Sequence, residues 1–324
     1  MPRQARIDAP GTLHHVIFRG IENRSIVDDG IDRAGFVSRM GKLAAETQTA
    51  IYAWALLDNH AHILLRSSPY GLSRYMRRLL TGHAVVYNQR HNRHGHLFQN
   101  RYKSIVCDEE AYFLELVRYI HLNPLRAGQV QSLDDLASWP WCGHGALMGK
   151  TGQEWQDTDS VLTRFGKRQK AARHAYQVFV ADGVPRGRRP ELVGGGLFRS
   201  QGGRSGVETL RREGLMEPSD DRILGGGAFV ERIIQAAEEI QGRSFSRRES
   251  LQKAAEFLRQ ACTESGVNLI ELQAGSRRGN VPAIRSRIAH HIVHEYGLSL
   301  AESARWLGVS TSGISRILSR GERS

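Results

Sequence analysis

The sequence predicts an α+β architecture, in which an antiparallel sheet with helices packed on it is followed by a separate all-α domain. β-rich runs and helix-period segments alternate through the first 150 residues, a Gly- and Arg-rich stretch follows, and helical periodicity alone continues from about residue 229. A chain of 324 residues is long enough for two hydrophobic cores. The predicted boundaries are a first domain at 1–150, a basic helical extension at 151–182, a linker at 183–222 and an all-α domain at 223–324.

The order of elements in the first domain is β, α, β, β, α, β, α. Strands are predicted at 13–19, 51–57, 60–66 and in a run ending at 106, and helices at 31–47, 71–92 and from 108 onward. Asp58 and Asn59 form the short connection typical of a β-hairpin. Arg101 and Lys103 are expected to share one face of the fourth strand. This order indicates a ferredoxin-like antiparallel sheet with helices packed on it.

The third helix of this domain carries an apolar stripe with a tyrosine beside it. Asp108 is the expected N-cap. The stripe consists of Phe113, Leu116, Val117 and Ile120. Tyr119 lies roughly a third of a turn off this stripe, which places it at the edge of a core. Pro124 is expected to end the helix and to bias Asn123 away from helical angles.

The composition favours a polyanionic partner. Lys and Arg number 45 against 33 Asp and Glu, giving a formal charge of +12. Nucleic acid is the leading interpretation, and ribosome or anionic-membrane contact is the alternative. No apolar run is long enough to span a bilayer and no signal peptide opens the chain, so a cytoplasmic protein without membrane contact is expected. Three widely spaced cysteines indicate neither a disulfide framework nor a cysteine-based zinc site.

Two histidines one residue apart, His60 and His62, lie in a predicted strand. Alternate side chains of a strand project to the same face, so this pair could share one metal ion. A lone His-x-His is more often a surface pair or a satisfied core pair. The nearby Asp58 and Asn59, the basic run at 101–103 and the tyrosine helix raise the weight of the metal interpretation.

The C-terminal residues 299–319 match the pattern of a helix-turn-helix. The small, glycine and apolar positions that this motif requires are occupied by Ala304, Gly308, Val309, Ile314 and Ile317. Ser310 can cap the second helix. In a DNA-binding interpretation the groove-facing polar residues are Ser310, Thr311, Ser312 and Ser315, and the phosphate contacts are Arg277, Arg278, Arg285 and Arg316. Any pair of packed helices is the alternative.

Taken together, three strings resemble the single-tyrosine HUH transposases, and most closely their REP-associated branch. They are DNHAHILL at 58–65, FQNRYKS at 98–104 and RYIHLNPLRAG at 118–128. The resemblance covers about residues 5–150 and implies the fold of an HUH nuclease. The segment from Leu272 looks like the DNA-binding domain of the bacterial replication initiator, which implies duplex DNA as a further partner.

The resemblance implies a specific set of roles. His60 and His62 match the paired metal ligands, Asn123 takes the place of a third polar ligand that is often glutamine, and Tyr119 matches the nucleophile. The expected cofactor is Mg²⁺ or Mn²⁺. The expected reaction is attack on single-stranded hairpin DNA to give a 5′-phosphotyrosine. Lys103 is expected to favour the phenolate.

Further DNA contacts are expected from basic residues of the first domain. They are Arg19, Arg74, Arg77, Arg78 and Arg101. A monomer or a homodimer is expected. Two alternatives stay open: a catalytically silent DNA-binding regulator derived from a transposase, and an RNA-directed or zinc-dependent hydrolase built on the same histidine pair. The second lacks an evident third strong zinc ligand.

Overall fold

The computed structural model describes residues 7, 10–187, 189–193, 220–243 and 247–321. By its internal contacts the chain divides into two units, residues 1–237 and 238–324. Most of the linker predicted at 183–222 lies outside the described residues. In the part of the chain that is described, no helix is both long enough and apolar enough to cross a bilayer.

The first unit is built on one five-stranded sheet. Its strands are β1 (Leu13–Arg19), β2 (Ala50–Leu56), β3 (His60–Arg66), β4 (Lys103–Cys107) and β5 (Ile223–Leu224). Their spatial order is β2-β3-β1-β4-β5, and the first four are antiparallel, as in the predicted ferredoxin-like arrangement. The sequence did not predict β5, which adds to β4 in parallel. The N–H groups of Val106 and Asp108 donate to the carbonyls of Arg222 and Leu224, so this segment covers an edge that would otherwise be unpaired.

Helices cover both faces of the sheet, which gives the expected sandwich. On one face lie α1 (Gly30–Glu46) and α2 (Leu72–Arg90), packed on Val16 and Phe18 of β1. On the other face lie α3 (Glu109–His121) and α8 (Gln169–Ala181), packed around Leu13. Four short helices lie between α3 and α8, namely α4 (Asn123–Arg126), α5 (Leu133–Ser138), α6 (His144–Met148) and α7 (Asp159–Leu162), and a longer helix, α9 (Gly227–Arg243), follows β5.

The contact-based division differs from the predicted boundaries. Tyr176 and Val180 of α8 are fully buried in the core that contains α3, so the segment predicted as an extension at 151–182 contributes to the first unit. Residues 223–237, predicted to begin the all-α domain, also lie in the first unit. Helical periodicity identifies an apolar face but not the surface that the face packs against.

Two local expectations need correction. Arg101 lies in a bend two residues before β4, so it is not part of the strand that carries Lys103. Asn123 is helical, because α4 begins at Asn123 directly after Leu122. Pro124 has no N–H to donate to the Ile120 carbonyl, and the Asn123 side chain donates to that carbonyl instead. The chain therefore continues into α4 after a short interruption.

The second unit is all-α. Its helices are α10 (Arg247–Glu264), α11 (Leu269–Gln273), α12 (Val281–His294), α13 (Leu300–Leu307) and α14 (Thr311–Gly321). A capping box between Ser299 and Glu302 begins α13, and Gly308 ends it with a left-handed φ of 64°. Ser310 accepts a hydrogen bond from the Gly313 N–H at 3.1 Å and so caps α14, as predicted. Ile314 is fully buried, so α14 packs on the core of the second unit.

Candidate active site

A cavity of about 790 Å³ lies where β1 ends and β3 begins, beside the C-terminal part of α3. It collects all five residues to which the sequence assigned metal or catalytic roles, namely His60, His62, Lys103, Tyr119 and Asn123. Other basic side chains share its walls, and these are Arg19, Arg101, Arg126 and Arg189. The cavity is therefore a cationic pocket that contains a histidine pair and a phenol.

Strand register brings the histidine pair to the face of the sheet that α3 covers. In the ladder between β1 and β3, Arg19 lies opposite His60 and Ile17 lies opposite His62. The apolar stripe of α3 is buried on this same face, which confirms the helical phase read from the sequence. Tyr119 is thereby directed toward the pair: its ring centre lies 5.8 Å from that of His62, edge-on, and the two imidazole centres lie 5.3 Å apart.

The hairpin turn that precedes the pair is held at several points. Asp58 forms an ion pair with Arg33 and accepts a hydrogen bond from Gln129 Nε2 at 2.8 Å. Asn59 donates through Nδ2 to the Asn23 carbonyl at 3.2 Å. Its Oδ1 is then left to accept from His60 Nδ1, at 2.7 Å. The turn therefore orients the first imidazole before any ligand arrives.

His15 is a further residue in contact with the pair, and the sequence analysis missed it. It is fully buried on β1, and its Nε2 lies 3.0 Å from His62 Nδ1. On its other side, Nδ1 lies 3.3 Å from the Leu192 carbonyl oxygen. The alternation of side chains along β1 does place His15 on the same face as Leu13 and Ile17. The sequence of β1 does not show which strand lies next to it, so the contact with His62 could not be predicted.

Burial keeps both imidazoles of the pair neutral at pH 7. Burial, followed by the positive charge of Arg19, lowers the pKa of His60 to about 4. Burial also lowers the pKa of His62 well below its ordinary value, and His15 adds to the effect. Neutral imidazole is the form that donates a lone pair to a metal ion.

Asn123 presents an oxygen to the same cavity. Its Nδ2 donates to the Tyr119 carbonyl at 3.0 Å and to the Ile120 carbonyl at 3.4 Å. Carbonyl oxygens only accept, so the amide nitrogen is fixed on the backbone side. No described residue donates to its Oδ1. Two imidazole nitrogens and one amide oxygen could together hold a divalent metal ion.

Two arginines beside Tyr119 were not assigned from the sequence. The Arg126 guanidinium lies 5.5 Å from the centre of the Tyr119 ring. Arg189 lies far along the chain, beyond α8, and pairs with Glu115 at 3.2 Å. Lys103 also lines the cavity, where its Nζ donates to the Val193 carbonyl at 2.7 Å. Arg189 and Val193 therefore form part of the cavity wall.

The basic residues of α2 lie elsewhere. Arg74 lies over the Tyr70 ring at 5.3 Å, and Arg78 pairs with Glu46 at 2.6 Å. Arg77 is exposed. None of the three lines the cavity. Their predicted contact with DNA therefore concerns a surface away from Tyr119.

A second group of possible metal ligands is present within the described residues. It consists of Asp28, Asp32 and His91, whose ligand atoms lie within 4.8 Å of one another. Asp32 already pairs with Arg90 at 2.6 Å and with His91 at 2.8 Å. None of the group lines the cavity. An arginine fills the place of a cation here, so we interpret the group as an ion-pair network.

In the second unit, one predicted DNA contact is wrong. Arg285 is buried: its Nε donates to the Leu307 carbonyl at 2.9 Å and its Nη2 to the Leu272 carbonyl at 2.8 Å. Burial lowers its pKa. It therefore joins the ends of α11 and α13 instead of meeting phosphate. The remaining predicted contacts are exposed, and these are Arg277, Arg278, Ser310, Thr311, Ser312, Ser315 and Arg316.

A histidine pair on a sheet beside a helical tyrosine is the arrangement that the resemblance to single-tyrosine transposases predicts. Residues 11–123, which lie in the first unit, match the model of a protein family described as "Transposase IS200 like". The match ends at Asn123 and does not reach Arg126, residues 189–193 or the second unit.

Among solved structures, the chain is similar to one described as "Structure of the REP associates tyrosine transposase bound to a REP hairpin". The two share 17% sequence identity, with a TM-score of 0.40, over 49% of this chain and 93% of the other. No curated protein matches the chain.

Proposed function

We propose that the first unit is a metal-dependent endonuclease and strand transferase for single-stranded DNA, with Tyr119 as the nucleophile. The observation that carries the proposal is the single cavity in which a neutral histidine pair, an amide oxygen, a tyrosine and several cationic side chains converge. The transposase domain matched over residues 11–123 supports the choice of DNA as the substrate class.

Three side chains would hold the metal ion. They are His60 and His62 through Nε2 and Asn123 through Oδ1, since their other polar atoms are engaged with the protein. When bound, Mg²⁺ or Mn²⁺ neutralises developing charge on the scissile phosphate. Arg126 and Arg189 lie in the same cavity and bind phosphate oxygens on the side of Tyr119.

The covalent step is a balanced exchange of two phosphoester bonds. Tyr119 Oη forms a bond to phosphorus while the bond from phosphorus to the 3′ oxygen breaks. The phenol gives up its proton, and the departing 3′ oxygen gains one to become a hydroxyl. The product is a 5′-phosphotyrosine, and a 3′-hydroxyl can reverse the step on the same or another strand. The energy of the phosphodiester is conserved, so rejoining needs no ATP.

The DNA substrate is expected to be a folded single strand. The walls of the cavity carry positive charge from Arg19 and Arg101, which suits a phosphate backbone. The resemblance implies an imperfect palindrome that folds as a hairpin. The exposed polar and basic side chains of α14, together with Arg277 and Arg278, form a separate surface that we assign to duplex DNA.

A denaturing-gel assay tests the proposal. The purified chain is incubated with Mn²⁺ or Mg²⁺ and labelled single strands that carry palindromes from beside its gene. We expect a covalent adduct from the wild type that is lost in Tyr119→Phe and in His60→Ala, while both variants retain DNA binding in a gel shift. Tyr112→Phe is the matched control, because Tyr112 is a half-buried tyrosine on the same helix that does not line the cavity.

Either of two results would contradict the proposal. An adduct that persists in Tyr119→Phe would assign the nucleophile to another residue. Tight binding without any adduct, for every metal and every palindrome, would instead support a catalytically silent DNA-binding regulator.

A further inference from the structure

We propose that His15 is a positioning residue that fixes the tautomer of His62 and thereby directs the Nε2 lone pair of His62 into the cavity. This inference rests on the proposed metal site and adds to it a residue outside the ligand set. It also makes the Leu192 carbonyl, which lies beyond the matched transposase domain, a working part of that site.

The direction of each hydrogen bond follows from the last acceptor in the series. The Leu192 carbonyl oxygen can only accept, so Nδ1 of His15 carries the proton of their 3.3 Å hydrogen bond. With its single ring proton on Nδ1, His15 then has a lone pair on Nε2. That lone pair accepts from Nδ1–H of His62 at 3.0 Å, which leaves Nε2 of His62 unprotonated.

Burial enforces these hydrogen-bond directions. His15 is 0% exposed and His62 is 5% exposed, so water cannot replace a mismatched partner. The opposite tautomer of His62 would set two lone pairs against each other across 3.0 Å. The structure therefore selects the ligand-competent form of His62 without any metal.

The same logic holds for the other histidine of the pair. Asn59 donates to a backbone carbonyl through Nδ2, so its Oδ1 must accept from Nδ1–H of His60. Both imidazoles thus present Nε2, and each is oriented by a partner of its own. Such partners commonly change metal affinity by about 10- to 100-fold when they are removed.

A matched control lies next to His15 in the sequence. His14 is also 0% exposed on β1, and it also makes two side-chain hydrogen bonds, to Thr12 at 2.7 Å and to Ser104 at 2.9 Å. Successive residues of a strand face opposite sides, so His14 lies on the other face of the sheet and does not line the cavity. His14→Phe and His15→Phe therefore remove comparable buried groups, and only the second removes the partner of His62.

The first measurement uses the metal-free wild type. Nitrogen-15 NMR of the imidazoles reports which ring nitrogen carries the proton, and His62→Gln assigns the signal. We expect His62 as the Nδ1–H tautomer. In His15→Phe we expect a mixture of tautomers, whereas in His14→Phe the signal should match the wild type. A wild-type His62 protonated on Nε2 would overturn the inference whatever the activity of the protein.

The second measurement is the affinity of the full chain for Mn²⁺, in which electron paramagnetic resonance reports the concentration of the free ion. The part of the binding that is lost in His60→Ala is the binding at this site. We expect His15→Phe to weaken Mn²⁺ binding about 10- to 100-fold, and His15→Gln, whose Oε1 can accept from His62, to restore most of it. Equal affinities in His15→Phe and His14→Phe would refute the positioning role. Absence of Mn²⁺ binding in the wild type would instead refute the proposed function.

Discussion

The glycine between α13 and α14 allows a direct test of what stabilises the second unit. Gly308 has a φ of 64° and lies against the turn that ends α11. A Cβ added there would stand 1.9 Å from the Gln273 carbonyl oxygen and 2.7 Å from the Gly275 nitrogen. Both atoms belong to the backbone, so no rotation of a side chain relieves the overlap. Gly308→Ala must therefore separate the turn after α13 from the turn that ends α11.

The expected cost has two parts. A left-handed backbone costs an alanine about 1 to 2 kcal/mol, and forcing extra volume into a packed region costs about 1 to 3 kcal/mol. We expect the free energy of unfolding of the second unit to fall by about 2 to 5 kcal/mol. Gly313→Ala is the control, because its added Cβ meets nothing closer than 3.3 Å and its φ is ordinary. That variant should be neutral or stabilised by about 0.5 to 1 kcal/mol.

Native-state hydrogen exchange, read by mass spectrometry, measures both variants because it assigns stability to segments of the chain. We expect faster exchange through α13 and α14 in Gly308→Ala, with the sheet of the first unit unchanged. Exchange in Gly308→Ala that equals the wild type, or that equals Gly313→Ala, would refute the account of the turn.

Three further predictions concern other sites. Arg285→Met removes the side-chain donor of the buried Leu307 carbonyl, whereas the Leu272 carbonyl keeps its hydrogen bond from the Gly275 N–H. We expect this variant to destabilise the second unit by about 1 to 3 kcal/mol in urea titrations, whereas the exposed Arg277→Gln should stay within about 0.5 kcal/mol. Burial lowers the pKa of His144 from 6.5 to about 4, so the unfolded chain takes up this proton first. The free energy of unfolding should therefore hold above pH 6.5 and fall below it by up to about 1.4 kcal/mol per pH unit for this group, a slope that His144→Gln should flatten. Asn123→Leu removes the amide oxygen and leaves a side chain of similar size. This variant should weaken Mn²⁺ binding by about 10-fold or more without changing DNA binding in a gel shift. An unchanged Mn²⁺ affinity would show that Asn123 is not a metal ligand.

Local periodicity determined much of the first unit. The alternation of side chains in a strand placed His60 and His62 on one face, and the 3.6-residue period of α3 put Tyr119 beside the buried stripe. These features depend only on residues close together in the chain, so the structure agrees with them. The hairpin and the cap at Asp108 were predictable for the same reason.

Contacts between segments that are distant in the chain could not be predicted from the sequence. The burial of Arg285 depends on two helix ends that approach each other only in the folded unit. The position of Arg189 in the cavity depends on the return of the chain after α8. A charged residue at a helical position carries no signal of its partner, and an arginine is exposed more often than it is buried. Sequence reasoning therefore assigned Arg285 to a surface and overlooked Arg189.

By itself, the sequence determined the elements and the phase of their side chains, and hence that a histidine pair and a tyrosine could meet. Tertiary structure alone decided which atoms of those side chains remain available. The Nε2 atom of His62 is left for a ligand because His15, on a neighbouring strand, and Leu192, more than a hundred residues later, occupy the other positions in one buried series of hydrogen bonds. A hydrogen bond needs its two atoms to lie about 3 Å apart in space. The strand register and the path of the chain after α8 bring these atoms together, and neither can be predicted from a local sequence pattern.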